Sequence, residues 1–258
     1  MKATSLRDIR KRFMAQPEKY LNLKKQRGMT LLEIIIVLGI IGTIAAGVVI
    51  LAQRAYDSQA QSDLSSNTNT VRTAVKAAYG PSGVYPVVQG AATLALNDTN
   101  IQTEGANSPI GKLILLGQLS ASEAKNNISN NFFNIGAASI GTSGTRKGYY
   151  IEVNGLSQTQ CRNLLLQAGN QFDFVSVVGN DNTGSYTSPT TLDLTVTAAA
   201  FHPGTASQPD GSGGTDASMD ATGVYRSLNA DGNNVITADA VIGACNDDSA
   251  NGIILGSR

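Results

Sequence analysis

The sequence predicts an α+β protein in which one long N-terminal helix precedes a head domain of short helices and strands. An unbroken apolar run from Met29 to Ala52 continues as a helical pattern as far as Tyr79. After Gly80, short strand and helix patterns alternate with turn residues. With 258 residues the chain is long enough for one sizeable globular core and an appendage.

The predicted helix has an apolar half and an amphipathic half. The apolar half, residues 29–52, has 24 residues, and at 1.5 Å per residue it is roughly 36 Å long, enough to cross a bilayer with some tilt. In residues 53–80 apolar side chains recur at helical spacing, with one interruption at Thr68, which predicts a face that packs on a core. Gly80 and Pro81 end the helix.

Charge is distributed unevenly along the chain. Residues 1–28 contain nine Lys or Arg and two acids, so the rest of the chain has ten basic and 17 acidic residues. A basic segment in front of a membrane-spanning run is typical of a cytoplasmic flank. An acidic remainder argues against a nucleic acid partner, because nucleic acid binding requires a basic surface.

Glu33 is an acid within the apolar run, four residues after Met29. A charged side chain inside a bilayer costs about 2.5 to 3.5 kcal/mol on insertion scales. Such a residue is expected to have a function and a partner. The alternative is an acid in the first turn that is stabilised only by the helix dipole and interfacial water.

Several short elements are predicted in residues 81–258. They are short helices around residues 109–119 and after the capping box Ser120–Glu123, strands at 147–156, 172–178, 192–197 and 223–228, and a helix that Ser157 opens and that runs to about Ala168. Asn154 and Gly155 are predicted to close the first of these strands, and residues 204–214 to form a surface loop.

The inventory of reactive residues argues against catalysis. Cys161 and Cys245 have no CxxC partner, which disfavours a metal or redox site. Because a membrane-targeting segment takes the head out of the cytosol, a structural disulfide is favoured over two free thiols. His202 is the only histidine and lies in a loop-like stretch. We therefore expect no enzymatic activity, no metal and no cofactor.

Residues 229–237 partly match a calcium loop. Asn234 stands where that loop needs a glycine, and Ala240 stands where it needs a bidentate glutamate. The favoured interpretation is a hairpin turn at Asp231-Gly232, followed by Thr237 as the N-cap of a short helix that contains Cys245.

The N-terminal pattern resembles that of the type IV pilins. Gly28 precedes the sequence MTLLEIIIVL, in which Met29 would be the first mature residue and Glu33 the fifth. The 28-residue leader, Met29 in place of phenylalanine, and the stretch NGLSQTQC at 154–161 are similar to the type IVb subclass. That subclass includes enteric colonisation pilins such as the longus, CFA/III and toxin-coregulated pilins.

The resemblance implies a fold, a maturation route and a role. The fold is a long helix packed on an antiparallel sheet, an αβ-roll, with a disulfide between Cys161 and Cys245. A prepilin peptidase would remove leader residues 1–28 by cutting after Gly28, and would methylate the amine of Met29. Residues 29–80 would form the helix, with 29–52 in the membrane and then in the filament core and 53–80 on the head, residues 81–258.

The implied function is that of a structural, major subunit of a surface filament for adhesion, bacterial aggregation and host colonisation. Its partners would be copies of itself, the inner-membrane assembly machinery, an outer-membrane secretin and a minor pilin. The prepilin would lie in the inner membrane with its N-terminus in the cytoplasm and its head in the periplasm. The alternatives are a type II secretion pseudopilin, and a membrane-anchored binding or enzymatic domain.

Overall fold

The structure, a computed structural model, describes residues 30–86, 94–141, 145–179, 181–186, 192–196, 223–229, 234–247 and 250–258. Gly28, Met29, His202, the predicted loop at 204–214 and the predicted turn at Asp231-Gly232 lie outside these residues.

The described residues form four α-helices and eight strands. In chain order they are α1 Leu31–Tyr79, α2 Ile101–Glu104, α3 Pro109–Leu115, β1 Lys125–Asn126, β2 Asn131–Phe132, β3 Asn134–Ser139, β4 Gly148–Leu156, α4 Gln158–Ala168, β5 Phe174–Gly179, β6 Leu192–Asp193, β7 Gly223–Arg226 and β8 Asn251–Ser257. Short 3₁₀ turns follow α1 at Gly80–Ser82, α2 at Gly105–Asn107 and α4 at Gly169–Gln171.

Helix α1 is the longest element and confirms the predicted N-terminal helix over Leu31–Tyr79. Its 49 residues correspond to roughly 74 Å if the helix is straight. Gly80 and Pro81 pass into a 3₁₀ turn, and Gly83 with a φ of 64° adopts the left-handed conformation that ends it. The chain divides into two units with the boundary between Ala55 and Tyr56, and each unit is described by itself.

In the unit that begins at Tyr56, one stripe of α1 is buried. Leu64, Val71 and Val75 belong to the main core, as the amphipathic pattern predicts. Thr68, where the apolar pattern is interrupted, is also fully buried. Its hydroxyl donates to the Leu64 carbonyl at 2.7 Å, so the polar group is satisfied within the helix and the buried stripe continues through it.

Six strands form one sheet in the order β6-β3-β4-β8-β5-β7. All neighbours are antiparallel except β3 and β6, which are parallel. Strands β1 and β2 form a separate antiparallel pair. A long N-terminal helix with a mostly antiparallel sheet confirms the predicted α+β class.

The sheet has a large core on one face and a smaller cluster on the other. Ile151, Val153 and Leu255 share the main core with Val71 and Val75 of α1. Successive side chains of a strand point to opposite faces, so the residues between them form the second cluster. That cluster contains Ala138, Tyr150, Phe174, Leu192, Leu194 and Ile254.

The predicted helix that Ser157 opens is confirmed as α4. Ser157 is the N-cap, and its hydroxyl and the Gln160 side chain form a reciprocal capping box. The predicted strands at 172–178, 192–197 and 223–228 correspond to β5, β6 and β7, with shorter bounds among the described residues. Strand β5 pairs with β7 on one side and β8 on the other, so it lies inside the sheet.

The predicted helix after Ser120 is wrong. The capping-box hydrogen bonds are present, because the Ser120 amide donates to Glu123 Oε2 at 2.9 Å and the Glu123 amide donates to Ser120 Oγ at 3.3 Å. The chain then makes a single turn and enters β1 at Lys125. The pairing of β1 with β2 extends to the residues beside them, since the Phe133 amide donates to the Ala124 carbonyl at 2.9 Å. That carbonyl is therefore bound across the strand pair and not within a helix.

The prediction that Asn154 and Gly155 close the strand is also wrong, although the strand itself is confirmed. Strand β4 continues to Leu156, with a bulge between Val153 and Leu156. Gly155 has a φ of 70°, a conformation that favours glycine. Its amide points out of the ladder and donates to the Asp181 carbonyl at 2.8 Å. The Asn-Gly pair therefore bends a strand instead of ending it.

The predicted short helix after Thr237 is replaced by irregular turns. Thr237 Oγ1 accepts from the Ala240 amide at 3.4 Å, as an N-cap does. Further on, the carbonyls that a helix would use as acceptors are bound by side chains of α4. Arg162 donates to the Ile242 carbonyl, and Gln158 Nε2 donates to the Cys245 carbonyl at 3.0 Å.

Glycines in α3 and the turn before it allow two backbone segments to touch. A Cβ on Gly111 would lie 2.4 Å from the Gly105 carbonyl oxygen. A Cβ on Gly80, by contrast, would meet nothing within 4 Å.

We predict that Gly111→Ala destabilises the protein by about 1 to 3 kcal/mol, because the added methyl group collides with rigid backbone. The usual gain from replacing a helical glycine by alanine is then outweighed. Urea unfolding of the full chain in detergent measures the change. Gly80→Ala is the matched control and should be neutral, so equal effects of the two substitutions would contradict the steric explanation.

Candidate functional site

The first turn of α1 is built around Thr30 and Glu33. The Thr30 hydroxyl accepts from the Glu33 amide at 3.2 Å, and the Thr30 carbonyl accepts from the Ile34 amide at 3.3 Å. Thr30 thus acts as an N-cap and satisfies one of the free amides of the first turn. Glu33 is the acid of that turn, where the positive end of the helix dipole favours negative charge.

Among the described residues, the carboxylate of Glu33 makes no hydrogen bond or ion pair. The residue is exposed. A cation placed near the start of the helix can therefore pair with Glu33 without displacing any contact that the described residues make.

The part of α1 that follows Glu33 is apolar and exposed. The 20 residues 34–53 contain no charged residue, which at 1.5 Å per residue corresponds to about the 30 Å of a bilayer's hydrocarbon core. Among the described residues this is the one helix long and apolar enough to cross a membrane, and its apolar window is 0% buried in the structure. By the same test, a signal sequence near the N-terminus would also qualify.

The single polar side chain between Ile34 and Ala52 is that of Thr43. Its hydroxyl donates to the Ile40 carbonyl of the same helix at 2.9 Å. Because the group is satisfied within the helix, the segment presents no unpaired polar side chain to an apolar environment.

The second feature is the disulfide between Cys161 on α4 and Cys245, with Cα atoms 6.1 Å apart and a sequence separation of 84. Both residues are buried. The disulfide predicted from the sequence is confirmed. Tyr225 adds a hydrogen bond from its hydroxyl to the Ala244 carbonyl at 3.3 Å.

Two comparisons by sequence show what parts of this chain are similar to. Residues 112–234 match the family described as "Toxin-coregulated pilus subunit TcpA", and residues 23–49 match the "Prokaryotic N-terminal methylation motif". A toxin coregulated pilin of Vibrio cholerae serotype O1 is 41% identical over 152 residues, which is 59% of this chain and 62% of that protein. A second Vibrio cholerae toxin coregulated pilin is 36% identical over the same length.

Over these segments the chain is similar to the toxin coregulated pilins. The match spans less than two thirds of the length of the curated relatives. The fold agrees with that of the crystal structure of TcpA, a type IV pilin from the El Tor biotype of Vibrio cholerae, with a TM-score of 0.56 and 23% sequence identity. This likeness covers 78% of the chain and 99% of TcpA as crystallised, and it confirms the pilin fold expected from the sequence.

The structure separates the residues predicted from the sequence into two groups. Glu33 lies in the first turn of α1, next to the Thr30 cap, and Gly28 and Met29 precede the described part of the chain. Cys161 and Cys245 belong to the other unit. Their predicted role is structural.

Sequence reasoning missed Asn170, which lies in the 3₁₀ turn after α4 and binds the segment that leads to Cys245. Asn170 Nδ2 donates to the Ile236 carbonyl at 2.9 Å, and Asn170 Oδ1 accepts from the Ile236 amide at 2.8 Å. The two bonds bind the backbone of residue 236 as a neighbouring strand would. No local pattern marks Asn170, since the chain is rich in Asn at turns and loops.

We predict that Cys161→Ser lowers the abundance and the protease resistance of the protein. Releasing a loop with a sequence separation of 84 costs about 4 to 5 kcal/mol in the chain-entropy treatment. Immunoblotting of whole cells and limited proteolysis measure both effects. Cys245→Ser should match it and the double substitution should add nothing further, whereas wild-type abundance and resistance would contradict a stabilising role.

Proposed function

We propose that this chain is a structural, major subunit of a type IVb pilus and that it polymerises through α1 into a surface filament. The observation that carries the proposal is the exposed, uncharged stretch of α1 behind Glu33, which coincides with the matched methylation motif at 23–49. We assign the filament to adhesion, bacterial aggregation and host colonisation, and we assign no enzymatic activity to the subunit.

Maturation begins with removal of residues 1–28. In this proposal a prepilin peptidase cuts after Gly28 and methylates the new amine of Met29. The nine cations of the leader keep the cleavage site on the cytoplasmic side by the positive-inside rule. The prepilin then waits in the inner membrane with residues 29–52 in the bilayer, residues 53–80 continuing the helix, and the head, residues 81–258, in the periplasm.

Assembly transfers α1 from lipid into a protein filament. The apolar surface meets a similar environment before and after the transfer, so it contributes little to the choice of position. Polar contacts then decide the register. Cleavage creates a cationic amine at Met29, and the carboxylate of Glu33 on a subunit already in the filament is the counter-charge available for it.

This pairing joins the first residue of one copy to the fifth of another. Such a contact is head-to-tail, and repeated head-to-tail contacts that do not close produce a helical fibre. The first partner of the chain is therefore another copy of itself. The other partners in this proposal are the peptidase, the inner-membrane assembly machinery, an outer-membrane secretin and a minor pilin.

The nearest alternative is a type II secretion pseudopilin, which shares the leader chemistry. The match of residues 112–234 to the toxin-coregulated pilus subunit family favours the pilus. Electron microscopy of expressing cells separates the two, because long surface fibres support the pilus and short periplasmic fibres support the pseudopilin.

We predict that Glu33→Val abolishes surface filaments and leaves processing intact, because the incoming amine of Met29 loses its counter-charge. Glu33→Gln should behave in the same way, since it keeps the size of the side chain and removes the charge. Electron microscopy reports filaments, and mass spectrometry of membrane subunits reports cleavage after Gly28.

Glu104→Gln is the control for loss of an exposed acid, and we expect it to retain filaments. Normal filaments from both Glu33 variants would overturn the pairing mechanism. Accumulation of uncleaved prepilin would show instead that Glu33 acts in processing.

A further inference from the structure

One end of the six-stranded sheet is surrounded by cations. Strand β4 begins there and β8 ends there, and Tyr149 lies opposite Ser257 in the ladder that joins the two strands. Lys147 lies just before β4 and Arg258 lies just after β8. Because the strands are antiparallel, these two residues leave the sheet side by side. Both are exposed.

The last turns of α1 bring two more cations to the same end. The guanidinium carbon of Arg72 lies 5.0 Å from the centre of the Phe172 ring, and the Arg72 carbonyl accepts from the Tyr149 hydroxyl at 3.5 Å. Lys76 follows four residues later, which places it on the same face of the helix. Both side chains are half-buried.

An acid, Asp173, lies among these cations. Its Oδ2 accepts from the Ser257 hydroxyl at 2.9 Å and from the Arg258 amide at 3.2 Å. Burial, and then the positive charge of Arg72, lower the pKa of Lys76, and Arg258 adds to this effect while Asp173 opposes it. The cations therefore repel one another, and the single carboxylate offsets only part of their charge.

Neighbouring strands add charges of both signs. Arg226 of β7 lies opposite Val175 of β5, and Asp193 of β6 lies opposite Ser139, where β3 ends. We call this region the positive end of the sheet. Its exposed and half-buried charged residues among those that the structure describes are the cations Arg72, Lys76, Arg146, Lys147, Arg226 and Arg258 and the acids Asp173 and Asp193, six against two, or +4.

The opposite end of the sheet, where β4 ends, has the opposite charge. Asn126 of β1 donates to the Asn154 carbonyl of β4 at 2.7 Å, and Asn67 of α1 donates to the Lys125 carbonyl at 3.2 Å. Strand β1 and the earlier turns of α1 therefore both lie at this end.

Three acids lie beside these contacts. Asp63 precedes Asn67 by about one helical turn, and Glu123 is two residues before Lys125. The third acid, Asp98, forms an ion pair with Lys125 at 2.6 Å. The charges of that pair cancel, whereas Asp63 and Glu123 leave this end negative.

A fourth acid, Asp247, is exposed at the same end. Its neighbour Asn246 is fixed to the first residue of β8, because the Asn246 amide donates to Asn251 Oδ1 at 2.7 Å and Asn251 Nδ2 donates to the Asn246 carbonyl at 2.9 Å. We call this region the negative end of the sheet. Its exposed and half-buried charged residues among those that the structure describes are the acids Asp63, Asp98, Glu123 and Asp247 and the cations Lys125 and Arg162, four against two, or −2.

One copy cannot bring its own two ends together. They are separated by the nine residues of β4, which at about 3.3 Å per residue is roughly 30 Å. The screening length at physiological ionic strength is about 8 Å, so attraction between the ends of one copy is largely lost. The dipole of α1 favours a cation in its last turn, which accounts for Lys76, but Lys147 and Arg258 lie outside that helix.

We propose that the positive end of one copy docks on the negative end of the next copy along the filament. This inference rests on the proposed function, because it requires copies stacked in one direction. Unlike ends attract and like ends repel, so the contact favours parallel stacking and disfavours antiparallel stacking. Complementary charge of this kind fixes register and orientation more than it adds affinity, and it would supplement the pairing at Glu33.

The first test uses sheared filaments of the unmodified chain. They are incubated with increasing nonionic detergent in about 0.01 M or about 1 M sodium chloride, which changes the screening length from about 30 Å to about 3 Å. Centrifugation then separates released subunits from filaments. More subunit should be released at high salt, because the contact between the ends is screened. Equal release at the two salt concentrations would overturn the proposal.

The second test reverses one exposed charge at each end, in the variants Lys147→Glu and Asp247→Lys. At low salt each should raise the ratio of released to assembled subunit by about 1.5- to 5-fold, the range expected for one surface ion pair, or abolish filaments. The control is Asp239→Lys, which makes the same change at an exposed acid in the same segment, between the residues that contact α4. It should behave as wild type does.

Release equal to that of wild type from both Lys147→Glu and Asp247→Lys would overturn the proposal. So would an equal loss of stability in Asp239→Lys, because the position of the charge would then not matter. A difference from wild type that persists at high salt would also contradict it, since packing and not charge would be responsible.

Vesicles of phosphatidylglycerol test another occupant of the positive end. If Lys147→Glu filaments lose binding to these vesicles but release subunits as wild type does, the positive end faces an anionic lipid surface and the proposal is wrong. Absence of filaments from wild-type cells would refute the proposed function itself. Filaments from every variant with equal release would refute only the contact between the two ends.

Discussion

The exposed apolar surface in the first half of α1 is the constraint on which the rest of the structure depends. Burying apolar surface is favourable by roughly 25 cal/mol per Å², so a helix that exposes 20 consecutive uncharged residues after Glu33 is not stable in water. Under the proposed function it lies first in lipid and then against other copies. Both environments are apolar, so the proposed transfer between them leaves the choice of position to the few polar groups at the start of the helix.

The unit that begins at Tyr56 has the opposite property, because it encloses its own core. Thr68 continues the buried stripe of α1 by bonding to the Leu64 carbonyl. The disulfide at Cys161, together with Gln158 and Asn170, holds a region of irregular turns that has little regular structure of its own. Since this unit encloses its own core, the proposed association of copies through α1 need not rearrange it.

The sequence predicted those elements whose pattern is local. The long helix, α4 with its Ser157 cap, and β4 follow from periodicity and capping. Strands β3 and β8 were missed because their glycines lower strand propensity. A Cβ on Gly136 would lie 2.4 Å from the Tyr150 ring, and a Cβ on Gly256 would lie 2.6 Å from Leu194. These glycines make room for large side chains from other segments, which no local pattern reveals. Glu33 was found from its chemistry, whereas the positive end of the sheet was not, since its cations come together only in the fold.

The most direct test of the account is a cryo-electron microscopy structure of sheared filaments at side-chain resolution. The account predicts that the amine of Met29 on one subunit lies within about 4 Å of the Glu33 carboxylate on a neighbour, the distance of an ion pair. It also predicts that the apolar half of α1 is enclosed by other copies. A Glu33 carboxylate that contacts only its own chain, with every Met29 amine paired elsewhere, would contradict the central claim.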